Sequence, residues 1–396
     1  MNQGKSNPPE KISPARRVAH HVLKLVSGGG FATDLLLEHS ARLSARDAGL
    51  ASQIVYGCLR FQGQLDFLIR RSSGRKLEDL DASVHLLLRM GIFQLRYLDR
   101  IPKHAAVNET VELAKRHRRS AAGLVNAVLR KVDRQPVKWP SKAVELSCPG
   151  WLLERWVGYF GEEIANGIAK TALKEPERFV RIPLGGDCPG PELQATDIPG
   201  CYRVTSNTST GFRLQDIGSQ AVVPFLELRA GQSFLDLCAA PGNKTAQALE
   251  TEVLGVAADI SHRRLQEVSP SAHRVVLDAS RPLPFRKTFD RILVDAPCSG
   301  TGTLARNPEI KWRLKPADLV PFHNRQVRIL KSALAHLAPG GRLIYSTCSL
   351  EVEENEEVLR AVLIDHGAAR LARQEWRVPG QSSGDGFFIA VILSDR

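Results

Sequence analysis

Two cysteines stand where a thiol could do chemistry. Cys298 follows the β-prone run RILVDAP, with Asp295 three positions ahead of it, and Cys348 ends RLIYSTC fifty positions later; hydroxyl residues flank both. The seven cysteines (Cys58, Cys148, Cys188, Cys201, Cys238, Cys298, Cys348) occur singly, without a CxxC pair or a Cys/His cluster. That spacing gives neither a disulfide framework nor a metal site. Most free cysteines are inert packing, but two that each close an apolar run pose a sharper question. A thiolate can add to an electron-poor ring: C5 of cytosine is too weak a nucleophile to accept a methyl group, and addition of sulfur at C6 makes C5 enamine-like. Such a reaction needs a nucleophile, an acid at N3 and a base to remove the C5 proton. Cys348, Asp295 and Cys298 fill those roles if both sulfurs converge on one pyrimidine. A disulfide between them is the competing explanation, and a reducing compartment disfavours it.

The elements around these residues bear on that convergence. From about residue 213 the runs SFLDLC, VLGVAA, RVVL, RILVD and RLIYS alternate with helical stretches such as TAQALET and VRILKSALAHLA. This alternation predicts an α/β fold with a parallel doubly wound sheet. Ligands of such sheets lie beyond the carboxyl ends of the strands, where the sequence places Asp236, Asp259, Asp278 and Asp295. The first strand runs into Cys238-AAPGN-Lys244, a Pro/Gly turn feeding a helix, so backbone N–H groups face the ligand. The GxGxxG spacing of a dinucleotide site is missing, so an NAD-linked oxidoreductase lacks its phosphate-binding fingerprint. Asp259 falls about twenty residues after the loop, where a carboxylate accepts from ribose hydroxyls; a helix cap before SHRRL is the alternative. Asp278 is placed for the adenine side. S-adenosylmethionine, a nucleoside cofactor without a pyrophosphate, suits this set.

The rest of the chain carries the charge. Of 396 residues, with a net charge of +12, residues 1–135 hold 23 Lys and Arg against 12 Asp and Glu, and the remainder 31 against 30. Such an excess is the footprint of a phosphate-binding surface. Residues 13–135 read as all helix: Ser13-Pro14 opens one helix with Val18, Val22 and Leu25 on a stripe, and Ser44 with Asp47 forms an acidic variant of the capping box. Ile54, Val55, Cys58 and Leu59 continue a second stripe, and Val107, Val111 and Ala114 share a face. KRHRR (115–119) sits between two helical stretches, free to grip a backbone. Residues 136–212 read as a connecting region with one helix, WLLERWVGYFGEEIANGIAK, and a loop, PLGGDCPGPELQATDIPG; residues 1–12 form a polar tail. No apolar stretch is long enough for a membrane helix and the start lacks a signal sequence, so the expected location is the cytoplasm.

The blocks LDLCAAPGNKT, VDAPCSGTGTLARNPEIKW, YSTCSLEVEENEEVL and DGFF resemble those of the RNA cytosine-5 methyltransferases of the Sun/Nop2 family, in its small-subunit ribosomal RNA branch. IPKHAAVNETVELAK and GLVNAVLRKV are similar to the NusB helical RNA-binding fold. The resemblance covers nearly the whole chain. It implies a Rossmann-like S-adenosylmethionine-dependent methyltransferase domain at 213–396, preceded by an all-α NusB-like domain at 13–135. It further implies Cys348 as nucleophile, Cys298 in product release, and Asp295 and Lys244 as catalytic partners. Cys238, Ala239, Ala240, Pro241, Gly242, Asn243 and Lys244 would form the cofactor loop, with Asp259, Asp278 and Asp295 as further contacts. The implied partner is 16S rRNA or a small-subunit assembly intermediate, bound by a monomer that needs no metal or membrane. Two positions depart from the family pattern. Asn243 stands where a second glycine is usual, an exchange that the tolerance of Asn for left-handed angles accommodates. The RVN that usually ends the middle helical part reads Arg181-Ile-Pro183. A non-catalytic rRNA-binding assembly factor is the remaining alternative; it predicts loss of a catalytic residue, and none of these four is lost.

Overall fold

The computed structural model describes residues 12–183, 185–186, 190–206, 211–364 and 367–395; Cys188 and nearly all of the tail lie outside them. The chain forms two compact units, Met1–Lys174 with Asn307–Trp312, and Glu175–Arg306 with Arg313–Arg396.

The first unit is helical: α1 (Pro14–Ser27), α2 (Ala32–Ser40), α3 (Ala45–Arg60), α4 (Gln62–Ser73), α5 (Ala82–Tyr97), α6 (Lys103–His117), α7 (Ala122–Arg130), α8 (Lys142–Glu145), α9 (Gly150–Phe160) and α10 (Glu162–Thr171). Ser44 accepts from Asp47 N at 3.1 Å and donates its hydroxyl to the Asp47 carboxylate at 2.9 Å. The return half of the expected box thus closes on the Ser44 side chain and not on its backbone. Ser13 makes no side-chain cap; its hydroxyl accepts from Arg16 and its N–H donates to Glu109. The buried face of α1 is Ala15, Ala19, Val22, Leu23 and Val26, while Leu25 is exposed. The stripe is therefore rotated from the expected one, because small alanines rather than large side chains sit in its contact. On α6, likewise, Ala106, Thr110, Leu113 and Ala114 are buried and Val107 and Val111 flank them. The expected stripe of α3 is buried in full, with Gly57 against the Phe93 ring of α5, where a Cβ would collide. Arg16 ties three helices, donating to Gln94 of α5 at 2.6 Å and Glu109 of α6 at 2.8 Å. The single helix expected over 151–170 is two helices, split at Gly161, whose φ of 83° ends α9.

In the second unit, β1 (Phe179–Arg181), β2 (Leu193–Ala195) and β3 (Cys201–Val204) form a small antiparallel sheet ordered β1-β3-β2. The stretch expected as a loop therefore carries β2; strands of three residues are too short for periodicity to declare them. Then follow α11 (Ile217–Val222), β4 (Ser233–Asp236), α12 (Asn243–Leu249), β5 (Leu254–Asp259), α13 (His262–Leu265), β6 (His273–Val276), β7 (Phe289–Asp295), α14 (Ile310–Arg313, of which all but Arg313 belongs to the first unit), α15 (Leu319–Leu334), β8 (Leu337–Thr347), α16 (Glu356–Leu363), β9 (Ala369–Arg377) and β10 (Phe387–Ser394).

The main sheet runs β6-β5-β4-β7-β8-β10-β9. β6 through β8 are parallel, as expected, but β10 is antiparallel to β8 and β9. These last two strands were not anticipated: FFIAVILS is apolar without alternation, which fits a buried strand or a helix segment equally. The alternation exists in space instead. Ile292, Val294, Leu343, Tyr345, Phe388, Ala390 and Ile392 enter the core on one face with α15 and α16, and Leu293, Ile344, Phe387, Ile389 and Val391 enter the core on the other face with α11. A sheet buried on both sides has fixed register, and with it fixed strand ends. The strand order reverses between β4 and β7, the position where such sheets bind ligands.

Candidate active site

At that reversal, β4 delivers the loop Cys238–Lys244. Gly242 adopts φ 98°, and a Cβ there would lie 2.8 Å from Val268 Cα, so both conformation and space demand glycine. Left-handedness thus falls on Gly242 and not on Asn243, which opens α12 with an ordinary φ. Asn243 Oδ1 is buried without a hydrogen-bond partner among the described residues. Ala239 N donates to Ala258 O at 3.0 Å, and Ala240 N to Asp259 Oδ2 at 3.1 Å. The other Asp259 oxygen accepts from Ser261 N at 2.8 Å, while Ser261 itself caps α13. Asp259 is therefore no helix cap; it fastens the loop to the end of β5.

Asp278 lies two residues past β6, partly exposed, and its Oδ1 accepts from the N–H and hydroxyl of Ser280. Those bonds hold its carboxyl below the usual range. Asp236 is buried; Oδ2 accepts from Thr245 Oγ1 at 2.7 Å, and Oδ1 has no partner among the described residues. Burial lifts its carboxyl to about 7. The Cys238 thiol is driven well above its ordinary range, first by burial and then by Asp236, Asp295, Asp259 and Asp278 in that order. One sulfur thus feels all four strand-end carboxylates, so the acids aligned in sequence also gather in space. Their excess of negative charge, with Asp236 and Asn243 each keeping an unpaired acceptor, fits a cationic nucleoside such as S-adenosylmethionine.

Asp295 ends β7, opposite Ser346 of β8 in the ladder. Its Oδ2 accepts from Lys244 Nζ at 2.6 Å and its Oδ1 from Ser346 Oγ at 2.9 Å. The Lys244 ammonium is nearly buried and lies 5.0 Å from the centre of the Phe387 ring. Just beyond these strand ends, Cys298 Sγ and Cys348 Sγ are 3.4 Å apart and unbonded. The convergence expected of the two sulfurs is present. At that spacing no ring fits between them, so a base must meet the pair from one side. The Cys298 thiol is raised well above its usual range, chiefly because it hydrogen-bonds to Cys348 and then because it is buried.

The side chains that hold this pair were missed in the sequence. Glu354, fully buried after β8, accepts from Ser299 N at 2.9 Å, from Gln326 Nε2 at 3.0 Å, and from the hydroxyls of Ser299 and Ser349 at 2.5 Å. One carboxylate therefore grips the residues that follow Cys298 and Cys348. Asn355 beside it accepts from Thr347 Oγ1 and donates to Ser349 O and Glu351 O. Gly302 N donates to Cys348 O at 2.9 Å and Gly386 N to Gly302 O at 2.8 Å. The DGFF turn is thus stitched through Gly302 to the second cysteine. Arg306 completes the fastening, reaching Asp216 and Asp385 at 2.9 and 3.0 Å. The acidic run EVEENEEVL was the available signal, but nothing in its spacing separates a buried acid from solvated ones.

Among the described residues no group of three or more His, Cys, Asp and Glu could hold a metal ion, and no helix is long and apolar enough to cross a membrane.

Residues 223–393 match the family model "16S rRNA methyltransferase RsmB/F", and residues 13–134 match the NusB family. The ribosomal RNA small subunit methyltransferase B of Escherichia coli strain K12 is 32% identical, over 95% of this chain and 97% of its own. That of Shigella boydii serotype 4 is equally similar. Among solved structures, PH0851 superposes with a TM-score of 0.80 at 22% identity, covering 98% of this chain and 99% of its own. NSun6 of Pyrococcus horikoshii with SFG gives 0.52 at 19%, covering 63% and 98%. At such identities these two likenesses establish the fold, an all-α unit with a Rossmann-like methyltransferase unit. The chain belongs to the RsmB/F family of 16S rRNA methyltransferases, enzymes that use S-adenosylmethionine.

Proposed function

We propose that this chain, as a cytoplasmic monomer, methylates C5 of one cytosine in 16S rRNA, free or in an assembling small subunit, through a covalent bond from Cys348 to C6. The observation that carries this reading is the contact of Cys298 and Cys348, just past the ends of the neighbouring strands β7 and β8, together with the pairing of Asp295 at the end of β7 with Lys244 of α12. S-adenosylmethionine supplies an electrophilic methyl group. The loop Cys238–Lys244 and Asp259 would cradle its methionine and ribose parts, with Asp278 toward the adenine.

The target base must leave its stack to reach two partly buried sulfurs. The two sulfurs share a hydrogen bond in which either can donate; in this reading Cys298 keeps its proton and Cys348 is the sulfur that adds to C6. As that sulfur bonds to C6, the electron pair of the C5–C6 bond becomes available at C5 for the methyl group. The Lys244 ammonium, held in place by Asp295, would stabilise the negative charge that develops at N3, while Ser346 fixes the carboxylate. Once Cys348 is a thioether it no longer holds the Cys298 proton. With the largest cause of its raised pKa gone, Cys298 gives its S–H proton to solvent, takes the C5 proton as the thiolate, and the C6–S bond breaks to return the Cys348 thiolate.

Bisulfite mapping of 16S rRNA from cells with and without the protein tests the reading. One cytosine is expected to lose protection when the protein is removed and to regain it with the wild-type chain but not with Cys348→Ala. An unchanged map would refute it.

A further inference from the structure

Part of the positive charge of the first unit lines a concavity. A cavity of about 660 Å³ is lined from α1 by Arg17, His21 and Lys24 around His20, from the start of α5 by His85 and Arg89, and from the end of α6 by Arg116, His117 and Arg118. Arg89 is neutralised by both oxygens of Asp66 at 2.7 Å, and Arg118 lies 3.6 Å from Asp81. Lys24 and Arg116 have no carboxylate partner among the described residues, and both are exposed at the rim. His20 is buried on the floor, its ring 4.3 Å from that of His117. Of the KRHRR run, Arg116, His117 and Arg118 turn into the cavity while Lys115 pairs outside it with Glu112 at 2.6 Å.

Gathering unpaired cations around a recess of low dielectric focuses a positive potential and is unfavourable until an anion enters. The volume lies within the range of small-ligand pockets, roughly 300–1,000 Å³. A duplex backbone, running along a convex rod, would leave such a recess unfilled. A single strand can turn one nucleotide inward.

We propose that this cavity holds one nucleotide of a single-stranded RNA segment, its phosphate on Lys24 and Arg116 and its base beside the His20–His117 rings. The inference rests on the reading of the chain as an enzyme of rRNA and names where the strand is held outside the methylation site. Burial, then His117, Lys24 and His21, lower His20 to about 4, so it is neutral when the cavity is empty at pH 7. A phosphate beside these groups offsets their repulsion and raises both imidazoles, so binding takes up protons and tightens as pH falls.

The test uses the full-length chain with three probes, an unstructured RNA hexamer, an RNA duplex and AMP, followed by titration and by the imidazole C2–H signals of His20 and His117. The hexamer is expected to shift both signals. Lys24→Ala/Arg116→Ala should weaken it about tenfold, more at pH 6 than at pH 8, and leave the duplex unaffected. The charge-matched Lys115→Ala/Arg130→Ala should bind the hexamer as wild type does. Equal weakening by both double variants, or of both RNAs, would reduce the cavity to general charge and overturn the proposal. Shifts with AMP but none with the hexamer would make the occupant a free nucleotide and overturn it too. A wild-type chain that binds the hexamer there but transfers no methyl group would break the proposed activity and leave the site standing.

Discussion

Lys244 Nζ lies 2.6 Å from Asp295 Oδ2, a contact between the first turn of α12 and the end of β7 made by residues fifty-one positions apart. The ion pair is shielded on one side by Phe387, so removing the cation strands a carboxylate in a poorly solvated place. Lys244→Met should lower the single-turnover rate at saturating RNA about hundredfold, roughly 3 kcal/mol. Lys244→Arg should recover only part, since a planar fork does not replace a point charge. A Lys244→Met variant at wild-type rate would remove the pair from the reaction.

The sulfur pair predicts an asymmetry. Cys298→Ala should accumulate a protein–RNA adduct that survives denaturing electrophoresis, because addition proceeds and release stalls. Cys348→Ala should give none. An adduct from the Cys348 variant alone would reverse the two roles.

Glu354 binds both cysteine loops by buried, charge-assisted hydrogen bonds. Glu354→Ala leaves several donors unpaired and should lower stability by about 3 kcal/mol. The diagnostic readout is elsewhere: Glu354→Gln, which keeps the shape but turns an NH₂ toward donors, should slow adduct formation more than it raises KM for RNA. A KM effect alone would make Glu354 a scaffold residue without influence on the sulfurs.

Asp236 ties stability to pH. Its folded-state pKa, raised by burial to about 7, exceeds the unfolded value near 3.9, so the folded form holds the proton more tightly. That contribution is complete below about pH 4 and disappears as pH rises through 7. Asp385 is likewise raised to about 7, by burial and then by Asp216, and adds to the same slope. Asp236→Asn should therefore flatten part of the decline in denaturant midpoint between pH 5 and 8 and be relatively more stable at pH 8. An identical slope in variant and wild type would show that the carboxyl ionises freely.

The parallel strands were legible because each short β-rich run ended on a residue of chemical character, Asp259, Asp295 or Cys348, and helical spacing separated most of them. β10 was not, since an apolar run buried on both faces carries no period, and neither was β9, whose ARLARQEWR is mostly exposed and charged and offers no apolar alternation. The stripe of α1 misled for a related reason: Ala15 and Ala19 supply its contact, and alanine weighs little in a search for large apolar residues. At the site, the acids and sulfurs could be named from type and position. Glu354 could not, because its burial arises only when the loops after Cys298 and Cys348 meet. Asn243 shows the opposite error, an explanation by left-handedness for a residue that needs none because Gly242 already supplies the turn.

The stitching of Gly302 to Cys348 and Gly386 leaves no room for even a methyl group, with Cys348 O 2.9 Å from where a Cβ would sit on Gly302. Residues translated some forty positions after Cys348 therefore finish the cleft, and β10 inserts beside β8 only then. A nascent chain that already displays both thiols still lacks the turn that braces them. The brace around the two thiols is therefore closed by the distal hairpin, the last part of the sheet to be made.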